Sequence, residues 1–516
     1  MKLQASFFTW LRRSGWLLLV IAFVQFLLHI WVSAHDNFFR DELYYLAAAQ
    51  HLDLGYVDYP PFVALVAALT RALFGSSIVG ARLLPALAGA LIVLLTADMV
   101  ALLGGGLAAQ ALAAIAIAVG PVFIASSGLM SMDPFDQLWW TMCAWVLVRL
   151  IKNQQPRLWL LFGLVAGFGM LTKITMAYYA LALVLGLLLS SQRKLLFNRW
   201  LILGGVIALV MFYPYIVWEV QHGFPTLEFS QAYSSGKTFQ ATPLEFFIQQ
   251  VITTNPLALP FWFGGLYFLF FTVSGKPYRA FGWAYLILYT AFMIQKMKFY
   301  WLSPAYPMLF ASGAYGLELL AQQRPRLKWL QPVSLWTLAI SGLMIVPLSI
   351  PILSPEAFIR LNALIGGAAE VKQENLQSSE LPQNYADRYG WREMVAAVAK
   401  AYDTLSPEEK ASACILTQNY GEAGAVDLYG PAYGLPQAMS GHNSYFIWGP
   451  QGCTGQVIIT VNYPLQDLSA AFESVKPAGQ TECKYCMPYE NGAPIFIARG
   501  LKVDMQQAWP TVKHFD

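Results

Sequence analysis

The chain has 516 residues, of which 57% are hydrophobic and only 12% charged. Soluble domains run at about 45–50% apolar and about 25% charged, so a soluble fold of this size would lack the polar surface to stay in solution. A net charge of +3 and five cysteines give no basis for a nucleic-acid partner or a disulfide scaffold.

Arg12 and Arg13 precede an apolar stretch over 16–33. It exceeds the about 7–15 residues of a signal-peptide core, and His35, Asp36 and Asn37 stand where a small-residue cleavage site would be. It reads as a retained first membrane helix. Segment 35–78 mixes acids with two amphipathic stretches, a short helix over 41–51 and a second over 61–74 lying near the membrane surface. A spanning helix needs about 20 apolar residues. With 16–34, the further candidates are 79–103, 107–125, 134–151, 157–172, 174–190, 200–217, 257–274, 281–296, 303–321 and 332–353. The total is about eleven. The pair meeting at Lys173 fits two spans better than one broken helix.

Orientation follows from the short loops. With Arg12 and Arg13 in the cytoplasm, Lys152 and Arg157, then Arg193, Lys194 and Arg199, then Lys276 and Arg279, then Arg324, Arg326 and Lys328 all fall on that side. The external segments are then 35–78, 218–256 (with Lys237) and 354–516. The last turns polar, with a helix over 391–401 and strands at Ala413–Thr417, Val457–Val461 and 495–498. The expected architecture is a polytopic α-helical membrane domain over 1–353 and an extracytoplasmic α/β domain over 354–516.

Charges that break the positive-inside pattern are the candidates for chemistry. Asp41 and Glu42 follow Arg40 just outside the first span. Adjacent acids suit a helix start, and they equally suit a general base with a neighbour that tunes it. Asp133, in Ser131-Met132-Asp133-Pro134, reads as an N-cap or as a second external acid, with Asp136 one turn on. Lys173, Lys296 and Lys298 face outward, where the charge rule does not call for them. Each could snorkel, but three on the face that bears the acids suit an anionic ligand such as a phosphate. Asp41 and Asp133 could hold a divalent cation. His29, His35, His222, His442 and His514 have no metal-ligand spacing, and His51 lacks a second ligand pair. Cys483 and Cys486 have CxxC spacing, open to a disulfide (with Cys453 a further partner) or to free thiols. No glycine-rich nucleotide loop is present, which argues against a nucleotide-sugar donor or an ATP-driven pump.

Several motifs resemble the lipid-linked-sugar glycosyltransferases of the GT-C superfamily. They are Asp41-Glu42-Leu43-Tyr44-Tyr45, Tyr59-Pro60-Pro61, Met132-Asp133-Pro134, the run from Gly169 to Lys173, and Phe299-Tyr300 through Tyr306-Pro307. The runs from Asn419 to Gly424, Gly434 to Pro436 and Ser440 to Ser444 add to the likeness. It is to bacterial dolichyl-phosphate-mannose–protein mannosyltransferase-like proteins, relatives of the aminoarabinose transferases of lipid A. The resemblance implies a GT-C membrane fold. It also implies inverting transfer of a sugar from a polyprenyl phosphate to a glycan, lipid or protein on the outer face of the cytoplasmic membrane. Asp41 then matches the catalytic acid, Glu42 its neighbour and Asp133 the second external acid. Aminoarabinose transferases usually carry an Arg shortly after the Asp-Glu pair and a Lys before the later Pro. Leu43-Tyr44 and Tyr59-Pro60 stand there in this chain. The phosphate then falls to Lys173, Lys296, Lys298 and Arg40, with Tyr59 and Tyr300 as donor contacts. Tyr420, Glu422, His442 and Asn443 are candidates for acceptor contact, with strand-edge and turn roles as the alternative. No cofactor beyond the open question of a divalent metal is implied.

Two other classes compete. A transporter or flippase would place polar groups near the bilayer midplane and show related halves. A glycan-sensing receptor would leave the Asp-Glu pair and the outward lysines without a shared task.

Overall fold

The computed structural model describes residues 2–236, 240–365, 367, 374 and 379–516; Lys237 lies outside them. The chain forms two compact units, one of 1–34, 82–217 and 240–352, the other of 35–81, 218–239 and 353–516. Segment 35–81 therefore groups with the C-terminal part of the chain. The physical reason lies in helix Tyr420–Tyr429, which packs on helix Arg40–Ala48. A Cβ at Gly424 would stand 2.7 Å from the Leu43 backbone, so only glycine permits that approach.

The first unit is helical. Lipid offers backbone groups no hydrogen bonds, and a helix satisfies them internally. Among the described residues, four helices are long and apolar enough to cross a membrane: Gly15–Ser33, Ile78–Leu103, Arg199–Gln221 and Pro325–Ser349. Leu107–Ala118 and Pro121–Ser127 form a pair bent by 63°, where one straight span was expected over 107–125. Pro121 has no N–H to donate to the preceding turn, so the helix restarts there. Pro256–Phe271 and Lys276–Ile294 form a second pair, bent by 101°. Leu158–Thr172 and Thr175–Leu188 are two separate helices, as the lengths suggested. Small residues let helices touch. A Cβ at Gly163 would lie 2.1 Å from the Gly204 carbonyl, and one at Gly313 would lie 2.0 Å from that of Phe261. An ion pair lies within the helices. Arg149 lies 2.9 Å from Asp98, which also accepts from the Trp145 indole at 2.6 Å.

The second unit holds a five-stranded sheet of order β2-β1-β3-β5-β4, made of β1 (Ala413–Thr417), β2 (Ala438–Ser440), β3 (Val457–Val461), β4 (Phe472–Gln480) and β5 (Pro494–Leu501). β1 runs parallel to β2 and β3, while β5 runs antiparallel to β3 and β4. Every residue of β3 is buried, as expected of a central strand read from an unbroken β-branched run. Helix Trp391–Asp403 turns Trp391, Met394, Val395 and Val398 inward. Leu416, Ile458, Phe472, Phe496 and Trp509 form a core. Cys453 is bridged to Cys414, while Cys483 and Cys486 are free thiols. Cys414 lies in β1, beside β3, and Cys453 enters β3 four residues on, so pairing of the two strands brings these sulfurs together.

Candidate active-site residues

In the second unit the candidate acids fall at a helix start. Phe39 is the N-cap of helix Arg40–Ala48, and Glu42 accepts its backbone N–H at 2.8 Å. Glu42 is fully buried, and in this position its carboxylate closes its own helix terminus. Expected as the neighbour that tunes the base, it satisfies a donor that the helix geometry orphans. Asp41 is only partly buried, and its Oδ1 accepts from the Tyr420 hydroxyl at 2.9 Å. Tyr420 opens its own helix. Asn419 accepts from the Glu422 N–H at 3.0 Å, and Glu422 accepts from the Gln418 and Asn419 N–H groups at 2.8 and 3.1 Å. Glu422, expected to touch the acceptor, is thus a buried half of a capping box, and burial pushes its carboxyl up.

Two other acceptor candidates are buried as well. Asn443 has φ of +48° and donates its N–H to the His514 carbonyl, so it turns the chain. The His442 ring sits between Tyr420 and His514, with centroids 4.6 Å from each. Tyr420 alone of the four reaches a catalytic candidate among the contacts described. Arg40, expected on phosphate, has its guanidinium 2.6 Å from Asp387 and 4.0 Å from Glu490. Those carboxylates are the anions it neutralises. Tyr59, expected on the donor, is buried against Tyr44, Tyr45 and Tyr56.

Sequence reasoning missed Asp58 and Ser444. The Tyr44 hydroxyl donates to Asp58 at 2.9 Å and lies 2.6 Å from the Ser444 hydroxyl, while its ring stacks on Tyr420 at 4.7 Å. Helical spacing was the available signal, since Tyr44 follows Asp41 by three residues and shares its face. Burial raises the Asp58 carboxyl to about 7, the Tyr44 bond opposes this, and the Asp41 charge adds to it. Burial likewise raises Asp427 to about 6 against the hydrogen bond from Tyr445. An unfolded Asp titrates near about 4. The native state therefore keeps protons that the unfolded chain has released. This contribution to stability is full below about pH 4 and is lost as the pH rises through about 7. We expect the unfolding temperature to fall between about pH 4 and about pH 7, and Asp58→Asn to flatten that fall. An unchanged slope in the variant would remove Asp58 from the account.

In the first unit, Asp133, read as an N-cap, is the first residue of helix Asp133–Asn153, whose N-cap is Met132. Asp133 accepts from Lys173 Nζ at 2.6 Å. Lys173 sits at the break after Leu158–Thr172, with Nζ 5.5 Å over the Tyr300 ring and 4.9 Å over Trp301. Lys298 lies 5.8 Å over the same Tyr300 ring. Asp133, Lys173, Lys298 and Tyr300 thus come together, and Thr175 donates to the adjacent Asp136 at 3.1 Å. Lys296 points elsewhere, donating to Gln240 at 2.6 Å.

Comparison with known proteins bears on the chain's family and fold. The family described as dolichyl-phosphate-mannose-protein mannosyltransferase matches residues 58–218. An undecaprenyl phosphate-alpha-4-amino-4-deoxy-L-arabinose arabinosyl transferase of Pseudomonas aeruginosa is 29% identical over 216 residues, 39% of this chain. The match spans 38% of the length of that curated relative. ArnT from Cupriavidus metallidurans, solved bound to undecaprenyl phosphate, superposes with a TM-score of 0.62 at 16% identity, covering 94% of this chain and 98% of its own. The oligosaccharyltransferase AglB from Archaeoglobus fulgidus superposes with a TM-score of 0.50 at 11% identity, covering 88% of this chain and 70% of its own. A multi-pass membrane protein follows from this likeness and the apolar helices together. In sequence over 58–218, and in fold over nearly its whole length, the chain is similar to the GT-C superfamily glycosyltransferases related to the aminoarabinose transferases.

Proposed function

We propose that this protein is an inverting glycosyltransferase that moves a sugar from a polyprenyl-phosphate donor to an acceptor at the outer face of the cytoplasmic membrane. The observation that carries the assignment is the setting of Asp41. It is a partly exposed carboxylate held at one oxygen by the Tyr420 phenol, while Glu42 and Glu422 are occupied in helix caps. A general base must be held in one orientation and still be reached by the acceptor, and Asp41 meets both demands.

In the proposed step an acceptor oxygen attacks the anomeric carbon from the face opposite the phosphate. The new C–O bond forms as the bond to phosphate breaks. The acceptor proton goes to Asp41, and the bonding electron pair leaves with the polyprenyl phosphate. Within the first unit, Lys173, with Lys298 and Tyr300 beside it, is the candidate for a phosphate, which would compete with Asp133 for the ammonium. Arg40 and Lys296 drop out of this set. A helix lies in each of the eleven apolar segments of the sequence, and the proposed topology counts each as a crossing, the shorter and the bent ones included. The basic loops support a cytoplasmic N-terminus and an extracytoplasmic sheet unit.

The test uses the purified full chain in liposomes with synthetic polyprenyl phosphates carrying radiolabelled aminoarabinose or hexoses, and bacterial envelope fractions as acceptor. Label is expected to pass from one donor to a glycan, lipid or protein. Label that stays on every donor, with the protein folded, would sink the assignment. Transfer that dies in EDTA and returns with Mg²⁺ or Mn²⁺ would show that a divalent cation takes part. Transfer indifferent to EDTA would leave the carboxylate acting alone.

A further inference from the structure

We infer that His442, His514 and Asp516 form a binding site for a divalent transition cation of the zinc class, away from the reacting groups. Sequence spacing offered no such set, since His442 and His514 are 72 positions apart. The backbone brings them together. His442 and His514 face each other in an isolated parallel bridge. The His514 N–H donates to the Gly441 carbonyl at 2.9 Å, and the Asn443 N–H donates to the His514 carbonyl at 3.1 Å. Gly441 permits the pairing, because a Cβ there would lie 1.8 Å from the Val512 carbonyl. Alternate residues of an extended segment share a face, so His514 and Asp516 point the same way. Lys513 turns elsewhere, to Glu228 at 2.8 Å, and Phe515 is buried.

One ligand atom from each of the three residues lies within 4.8 Å of the other two. A tetrahedral zinc with bonds of about 2.1 Å sets its donors about 3.4 Å apart. His442 Nε2 and Asp516 Oδ1 are 3.4 Å apart. His514 Nδ1 lies 3.0 Å from the Val512 carbonyl, which fixes the proton on Nδ1 and turns the lone pair of Nε2 outward. That Nε2 is buried and has no hydrogen-bond partner. A carbonyl behind the ring is the arrangement that orients metal-ligating histidines. Two imidazoles and one carboxylate suit zinc-class ions over calcium or magnesium, and leave a fourth position for water.

Loading changes His442. Its Nε2 now lies 2.8 Å from the Asp516 main-chain oxygen, and its Nδ1 lies 3.4 Å from the Tyr420 N–H. With a cation on Nε2 the ring proton belongs on Nδ1. The long contact to Tyr420 then opens, so occupancy is felt at the residue that holds Asp41.

The experiment uses the untagged full chain in detergent, stripped with a chelator, incubated with ZnCl₂ alone and gel-filtered. Elemental analysis should find about one equivalent of zinc. Co²⁺ in its place should give the intense visible bands of a tetrahedral site. His514→Ala and the near-isosteric Asp516→Asn should each lose the bound metal, while His222→Ala keeps it. Circular dichroism and melting curves identify any variant that fails to fold, and Asp516→Asn then carries the test. Wild type without bound zinc, or folded variants that bind as much as wild type, would overturn the assignment.

Discussion

Replacing Asp41 by Asn is expected to reduce sugar transfer by about 10²–10⁴-fold while leaving the protein folded, the range lost when a positioned general base is removed. Asn keeps the shape, and its carbonyl oxygen still accepts from the Tyr420 hydroxyl, which now stands 2.9 Å from Asp41 Oδ1. What disappears is the negative charge that takes the acceptor proton. Tyr420→Phe should cost less, about 10-fold or somewhat more. It removes one hydrogen bond to a charged group, worth about 1.5–3 kcal/mol, without removing the base. Its pH–rate profile should shift to higher pH, because a carboxylate that loses a donor becomes easier to protonate. Transfer rates of the three proteins, with melting curves as control, check both statements. Full activity in Asp41→Asn would show that another group takes the proton.

The second large effect is expected at Lys173. Lys173→Met should abolish measurable transfer and destabilise the protein by about 1–3 kcal/mol, the cost of a buried charge left without its partner. A fully buried pair would lose about 3–5 kcal/mol. The lower figure applies because the Asp133 side chain keeps 30% of its surface exposed, against 9% for Lys173. The double variant Asp133→Asn with Lys173→Met should regain most of the stability, since no charge is then left unpaired, and should still fail to transfer. A cycle of the two single variants and the double isolates the coupling. Recovery of transfer in the double variant would make the pair a structural strut and remove Lys173 from phosphate binding.

The residues of the candidate site differ in how far they could be read in advance. Asp41 and Asp133 stood out as candidates because charge is costly beside apolar helices. Glu422 was misread although its signature was present. Asn419 followed three residues later by an acid is a capping box, and the fold uses it as one. Arg40 was misread because its partners, Asp387 and Glu490, lie over 340 residues away along the chain. The disulfide was half legible. Cys453 was a candidate, but its partner depended on β1 and β3 lying side by side.

The sequence by itself determined where most of the apolar helices and three of the five described strands form. Hydropathy over about 20 residues, and β-branched runs such as Val457–Val461, act locally and need no knowledge of neighbours. It also determined that acids and lysines gather near helix ends. Only the tertiary structure decided which of them meet. Tyr420 reaches Asp41 across 379 positions, and Lys173 reaches Asp133 across 40. Side-chain contacts depend on how packed helices place their faces, and closures such as that of Gly424 on Leu43 are set by contacts distant in sequence. A carboxylate near a helix start becomes a cap, an ion-pair partner or a base according to what the fold brings against it.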